Sequence, residues 1–259
     1  MAIICRNHKL LFLMVPGTGC SAIGKVLLEQ FQGEWLPETN LYENGRRVVC
    51  QKHNDLKSLV QYNLLSRWEL PLYLKFATVR NPFDRLATDY QRAVGGWTET
   101  YAQQLARRAA AATTEKERVT LERLSQKTQQ KAEWARSLTF VDWLKYALKT
   151  ESKRSPYDKL RQAIAALRST YYMPRVYPLI YGADRVIRYE SLESDFNKVL
   201  KDAGAIGRRE WIEIPQKNPT LGKKPYQAYF SPEARALVEK YWGKELAYFG
   251  YGFEAAEAS

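Results

Sequence analysis

The feature that most constrains this chain is an apolar run that leads through a glycine-containing loop into a second apolar segment. Residues 9–15 predict a buried strand, and the loop after it contains Gly17 and Gly19 before residues 20–25 resume a helical pattern. A strand–loop–helix unit presents backbone N–H groups and the positive end of a helix dipole to an anion. We therefore predict a phosphate or sulfate site at residues 16–25.

A second strand end carries an arginine. Residues 73–79 predict another strand, which ends at Arg80 before Asn81 and Pro82 turn the chain into a helix. A guanidinium group binds phosphate through two charge-assisted hydrogen bonds. Two anion-binding strand ends in one small α/β domain indicate a ligand with phosphate groups at both ends.

The alternation of strands and helices predicts the fold class. Strands are predicted at residues 9–15, 47–51, 73–79 and 185–189, with helical patterns between them. We expect an α/β fold with a P-loop-like central parallel sheet and helices on both faces. Residues 99–135 combine an alanine run with a Glu-, Lys-, Arg- and Gln-rich stretch, which predicts a basic helical insertion. The whole chain, 1–259, is predicted to form one domain that includes this insertion.

Composition limits the partners and the location. The formal charge of +12 and the pI near 9.5 predict attraction to polyanions without choosing among them. We interpret the basic residues 107–153 as a solvated helix, so no specific nucleic-acid partner is expected. The three cysteines have no paired spacing, which predicts a reducing, cytoplasmic location. We find no signal peptide, no run long enough to span a membrane, and no metal-ligand spacing around the two histidines.

One motif favours a different chemistry. Residues 19–25 fit the spacing GxxxxGK of a nucleotide-binding P-loop, but Val26 follows where a Mg²⁺-binding Ser or Thr is needed. A kinase also needs an acidic metal ligand at a second strand end, where this chain has Arg80. A P-loop nucleotide-dependent kinase is therefore kept as an alternative.

Several motifs together resemble a known family. Residues 16–21 resemble the 5′-phosphosulfate loop of sulfotransferases that use 3′-phosphoadenosine 5′-phosphosulfate (PAPS), residues 79–90 resemble that family's 3′-phosphate motif, and residues 187–196 and 246–253 also look like it. The likeness is closest to the carbohydrate-type branch and its bacterial relatives. It implies transfer of a sulfuryl group to a hydroxyl acceptor, either a carbohydrate or a small metabolite, with 3′,5′-adenosine bisphosphate as product. It also implies cofactor-binding roles for Gly17, Thr18, Gly19, Cys20, Ser21, Ala22, Arg80 and Thr88.

The loop departs from that family at one position. The family usually has a lysine after the loop proline, where it stabilises the bridging oxygen as sulfate leaves, and this chain has Gly17. Lys25 lies one turn after Ser21 on the same face of the predicted helix, so we name it as a catalytic candidate. Further candidates are Lys52, Lys223 and Lys224. The alternative is a catalytically degenerate relative that binds nucleotide without turnover.

His53 is the predicted general base. Its ordinary pKa suits removal of a hydroxyl proton, and it follows the predicted strand 47–51, whose end is expected beside the ligand crevice. A histidine at a similar Lys-His position serves as base in some members of the resembled branch. Glu38 and Glu43 are held in reserve. Acceptor recognition is predicted for residues 171–181, which include Arg175, and for the insertion.

Overall fold

The computed structural model describes residues 2–152, 177–216 and 219–254. The chain divides into two compact units, of which the first comprises Met1–Asn81 with Pro174–Asn218 and the second Pro82–Met173 with Pro219–Ser259. Among the residues described, no helix is both long enough and apolar enough to cross a bilayer.

The first unit is built on a five-stranded sheet with the order β3-β1-β2-β6-β7. Strands β2, β6 and β7 are mutually parallel neighbours, whereas β1 pairs antiparallel with both β2 and β3. An α/β fold with a central sheet flanked by helices is thus confirmed, although one strand of the sheet, β1, runs opposite to the other four. The strands are β1 (Ala2–Cys5), β2 (Leu10–Leu13), β3 (Glu34–Leu36), β4 (Leu41–Glu43), β5 (Arg46–Val49), β6 (Leu74–Val79) and β7 (Arg185–Arg188).

Helices of the first unit cover this sheet. They are α1 (Cys20–Gln30), α2 (Leu56–Gln61), α7 (Tyr177–Ile180) and α8 (Leu192–Asp202). Every residue of β2 is fully buried, and because neighbouring side chains of a strand point to opposite faces, both faces are covered. On one face Phe12 stacks on Phe76 with ring centroids 4.8 Å apart, and Phe196 of α8 lies 6.2 Å from Phe76. Burial of each such side chain stabilises the fold by about 1.5–3 kcal/mol, so the strand that carries the loop is firmly fixed.

The predicted strand 47–51 does not join the central sheet. It corresponds to β5, which pairs antiparallel with β4 in a separate two-stranded sheet. The turn at Asn44 and Gly45 has positive φ at both residues, as a tight hairpin requires. Arg46 and Arg47 are exposed and only Val49 of this strand is buried, so β5 lacks the apolar side chains that a central strand buries on both faces.

The second unit is helical in its described part. Its helices are α3 (Pro82–Val94), α4 (Trp97–Ala110), α5 (Glu115–Arg136), α6 (Phe140–Ser152) and α9 (Pro232–Phe249). Helices α4 and α5 form an antiparallel pair with a small apolar core around Leu105 and Leu121. The Ser125 hydroxyl donates to the Ala102 carbonyl at 2.7 Å across the pair. These two helices cover residues 99–135, for which the sequence predicts helix; their status as an insertion stays a prediction.

Candidate functional site

The loop between β2 and α1 has a backbone conformation that requires glycine. Gly17 and Gly19 have φ of 76° and 78°, in the left-handed region that other residues rarely adopt. A Cβ atom on Gly19 would also lie 2.9 Å from Leu192 Cδ2 and 3.1 Å from Tyr189 Cδ2. The two glycines therefore allow the turn that leads from β2 into the N-terminus of α1.

The N-terminus of α1 is left open. Gly19 occupies the N-cap position, provides no side-chain hydrogen bond, and is followed by no acidic residue in the first turn. The Ala22 amide donates to the Gly19 carbonyl at 2.9 Å, which leaves Ala22 the least suited of the predicted donors to a ligand. Within the described ranges the amides of Cys20 and Ser21 donate to no backbone carbonyl, and the Cys20 amide lies within hydrogen-bond reach of its own thiol. Unpaired amides and the positive helix end suit an anion.

The Thr18 side chain connects the loop to the neighbouring strand β6. Its hydroxyl donates to the Val15 carbonyl at 2.7 Å and is hydrogen-bonded to the hydroxyl of Thr78 on β6. Both threonines are buried, with exposed fractions of 2% for Thr18 and 0% for Thr78. The Thr18 side chain is thus engaged inside the protein, and its backbone amide is the group that remains for a ligand.

Arg80 lies beside the loop. Its Nη1 donates to the Gly17 carbonyl at 3.1 Å, and its guanidinium carbon lies 4.1 Å from the centroid of the Tyr189 ring. A cation over an aromatic face gains about 0.5–2 kcal/mol, which orients the planar group. Tyr189 therefore packs against both Arg80 and the backbone of Gly19.

Three further residues at the site were not predicted from the sequence, namely Thr78, Tyr189 and Glu190. Strands β6 and β7 are parallel and pair Val79 with Arg188, so the residues that follow each strand meet at one sheet edge. The Asn81 amide there donates to Glu190 Oε1 at 2.8 Å and fixes the turn after β6. Tyr189 and Glu190 lie inside the quoted motif 187–196, which was the available signal.

The His53 side chain lies at the end of β2, because the strand that precedes it, β5, is not part of the central sheet. Its Nδ1 lies 2.9 Å from the Met14 carbonyl oxygen. A carbonyl can only accept, so Nδ1 carries the proton and Nε2 of the neutral ring is left as an acceptor. Burial lowers the pKa of His53, and the positive charge of Lys52 lowers it further, while the bond to Met14 partly opposes both. His53 is accordingly a neutral base at pH 7.

The candidate lysines differ in their surroundings. The Lys25 ammonium lies 3.9 Å from the Glu29 carboxylate, one turn further from the loop. Lys223 forms an ion pair with Asp84 inside the second unit. Lys52 is exposed and has no ion pair within the described part of the chain. Its charge nevertheless lowers the pKa of the Cys20 thiol, against the larger effect of burial, which raises that pKa.

The remaining predicted residues are placed as follows. Thr88 belongs to the second unit, where its buried hydroxyl donates to the Asp84 carbonyl at 2.9 Å. Glu43 is exposed and pairs with Arg46 across the β4–β5 hairpin. Residues 171–176, including Arg175, lie outside the described residues. The roles of all these residues stay predictions.

Comparisons with known proteins identify the family of this chain. The model of the sulfotransferase family matches residues 1–252. Carbohydrate sulfotransferase 11 from Rattus norvegicus and its counterpart from Mus musculus are each 24% identical over 254 residues, which covers 97% of this chain and 66% of theirs. The chain therefore spans just under two thirds of the length of these relatives. No solved structure matches the chain. The match to nearly the whole chain shows that it belongs to the sulfotransferase family.

Proposed function

We propose that this protein transfers a sulfuryl group from PAPS to a hydroxyl group of a carbohydrate. The single observation that carries the proposal is the juxtaposition of an uncapped helix N-terminus with Arg80, joined through the Gly17 carbonyl. Family membership supports sulfotransfer, and the named relatives are carbohydrate sulfotransferases.

The residues around the loop fit the two charged ends of this donor. The amides of Cys20 and Ser21 and the Ser21 hydroxyl are suited to the oxyanions of the 5′-phosphosulfate, because the first turn of α1 has no side-chain cap and no acidic residue. Arg80 is oriented by Tyr189 and suits the 3′-phosphate. Thr88 is assigned to the 3′-phosphate as well, but only because residues 79–90 resemble the family's 3′-phosphate motif.

His53 supplies the proton acceptor for transfer. The acceptor oxygen forms a bond to sulfur while the bond from sulfur to the bridging phosphate oxygen breaks and its electron pair stays on that oxygen. The hydroxyl proton passes to Nε2 of His53, which is unprotonated because Nδ1 donates to Met14. The lowered pKa keeps the ring neutral before the reaction.

The β4–β5 hairpin is a suitable surface for a sugar acceptor. Tyr42 and Arg47 form a cross-strand pair, and both side chains are exposed. An aromatic ring packs on a sugar face, and an arginine adjacent to it can bind acidic or hydroxyl groups. Only a short segment separates the end of β5 from His53. Within it the Gln51 amide donates to the Asn40 side chain at 2.7 Å, which holds this segment in place.

The kinase alternative is less well supported. Val26, at the position where a kinase needs a Mg²⁺-binding hydroxyl, is packed in the apolar core with an exposed fraction of 1%. The residue after β6 is Arg80 and not a carboxylate. A degenerate relative would keep nucleotide binding and lack turnover, so the two properties are measured separately.

The experiment compares Arg80→Ala with Arg185→Ala, measuring the affinity for 3′,5′-adenosine bisphosphate by calorimetry and the transfer from labelled PAPS to a panel of hydroxyl acceptors. We expect Arg80→Ala to weaken binding by about 10- to 100-fold, the value of a hydrogen bond to a charged group. Arg185 lies at the start of β7, where it pairs with Asp202 at 3.1 Å, and its loss should leave affinity unchanged.

Three results would contradict the proposal. Unchanged affinity in Arg80→Ala removes the assigned 3′-phosphate contact. Mg²⁺-dependent ATP turnover without binding of the bisphosphate identifies a kinase. Binding of the bisphosphate by the unaltered protein without transfer to any acceptor identifies a degenerate relative.

A further inference from the structure

Sulfuryl transfer leaves negative charge on the bridging phosphate oxygen, and this loop has no cation of its own to stabilise it. Position 17 is glycine with φ of 76°, a conformation in which a lysine would be strained. The Gly17 carbonyl accepts from Arg80, so the backbone here is held in place. A cation from elsewhere in the chain is needed if the proposed function holds.

Of the other candidate lysines, Lys25 and Lys223 are in ion pairs, and Lys224 belongs to the second unit. Lys25 is paired with Glu29, and both lie further along α1 than its N-terminus. The side chains of Lys223 and Asp84 are largely buried in their ion pair, with exposed fractions of 19% and 15%. To act as the cation, either lysine has to give up a carboxylate partner.

Lys52 is placed differently. The residues on both sides of it are anchored, because Gln51 donates to the Asn40 side chain and His53 Nδ1 donates to the Met14 carbonyl at the start of the loop. The Lys52 side chain is exposed and makes no ion pair with any described residue. Its charge acts on the Cys20 thiol, at the first residue of α1, and on the His53 ring. A cation without a carboxylate partner therefore lies near the open helix end and the base.

We propose that Lys52 is the catalytic cation that replaces the missing loop lysine. As the bond between sulfur and the bridging oxygen breaks, the ammonium stabilises the electron pair left on that oxygen, and the adjacent His53 takes the acceptor proton. The proton does not pass through Lys52, whose charge is unchanged. This inference rests on the proposed function and names the residue that completes its site.

Lys52 has a second effect on the reaction. Its positive charge opposes protonation of the neighbouring imidazole and so lowers the pKa of His53. Loss of the charge should therefore move the acid limb of the activity profile to higher pH. This shift reports that the Lys52 charge lies near the base, whereas the loss of kcat reports its action on the leaving oxygen.

The test compares Lys52→Met and Lys52→Arg with Lys57→Met, an exposed lysine on α2 that serves as the matched control. We expect Lys52→Met to lower kcat for transfer from PAPS by about 100- to 1000-fold, as loss of one group that stabilises a developing oxyanion does. Lys52→Arg should recover part of kcat because it keeps the charge. Lys57→Met should match the unaltered protein.

The outcomes separate this inference from the proposed function. If the unaltered protein transfers sulfate and Lys52→Met has the same kcat above the acid limb, the inference is wrong and the proposed function stands, whether or not the pH profile shifts. If Lys25→Met loses turnover in place of Lys52→Met, Lys25 is the cation. If the unaltered protein transfers no sulfate, both fail. Because Lys52 is exposed, its variants should keep the thermal midpoint of the unaltered protein.

Discussion

The N-terminus of α1 differs from the N-termini of α5 and α9. In α5 the Thr114 side chain accepts from the Glu117 amide, and Glu115 and Glu117 place negative charge in the first turn. In α9 the Ser231 hydroxyl accepts from the Ala234 amide, with Glu233 beside it. Helix α1 has Gly19 at the same position, without a side-chain cap and without an acidic residue.

This difference shows what each helix end is used for. A side-chain cap stabilises a helix by about 1 kcal/mol, and α5 and α9 have this contribution. Helix α1 forgoes it and is held by burial of its apolar face, including Ile23 and Leu27, against the sheet. Its amides are consequently available to an external anion. The predictions below test this contrast, from the largest expected effect to the smallest.

The first prediction asks whether the open end of α1 serves turnover as well as binding. His53→Asn removes the ring that lies at the start of the loop, and asparagine tolerates the left-handed φ of 65° at this position. We expect kcat for sulfuryl transfer to fall by about 100- to 10,000-fold, the contribution of a general base. Affinity for 3′,5′-adenosine bisphosphate, measured by calorimetry, should change little.

The pH dependence of the unaltered protein checks the same assignment. The pKa of His53 is lowered from its ordinary value of 6.5, so the ring loses its proton at lower pH than a free histidine. The rate should therefore be constant around pH 7 and fall only as the pH drops below 6.5. A fall that already begins above pH 7 would contradict the role of His53.

The second prediction closes the open helix end. Ser21→Asp places a carboxylate in the first turn of α1, as α5 and α9 already have. We expect affinity for the bisphosphate to fall by about 100-fold or more, since like charges about 4 Å apart near a surface repel by roughly 4 kcal/mol. The thermal midpoint should stay level or rise, because an acid favours a helix N-terminus.

Ser21→Asn is the matched control for that variant. It has the shape of aspartate without the charge, so its smaller loss of affinity measures the missing hydroxyl. Equal affinity in Ser21→Asp and Ser21→Asn would mean that no anion binds at this helix end.

The smallest effect is expected at a capped helix. Ser231→Ala removes the cap of α9 and should lower the free energy of unfolding by about 1 kcal/mol, seen as a thermal midpoint a few degrees lower. Calorimetry should give an unchanged affinity for the bisphosphate. A weakened affinity in this variant would remove the distinction between capped and open helix ends.

Local patterns predicted much of the fold. The apolar run of β2, the glycine loop and the helix after it follow one another in the sequence, so the open end of α1 was predictable from residues 10–25. Ser231 and Pro232 at the start of α9 are likewise typical of a helix N-terminus. Arg80 was predictable because Asn81 and Pro82 stop the strand directly after it.

Strand pairings and side-chain contacts were not predicted from such patterns. The apolar run of β1 is short, and its antiparallel pairing with β2 depends on the turn at residues 6–9. The Asn44–Gly45 turn favours a hairpin of β4 with β5, so the assignment of residues 47–51 to the central sheet was wrong. The contact of Arg80 with Tyr189 depends on the register of β6 with β7. The hydrogen bond between His53 and Met14 depends on the path of the chain after the β4–β5 hairpin.

The two ties between the loop and β6 have a consequence for selectivity. Thr18 is hydrogen-bonded to Thr78, and the Gly17 carbonyl accepts a hydrogen bond from Arg80. The loop and the end of β6 therefore move together. On the proposed function, recognition of the two phosphate groups is then thermodynamically coupled, because an anion that orders one element also orders the other. An adenine nucleotide that lacks the 3′-phosphate should therefore lose more affinity than its missing contact alone accounts for.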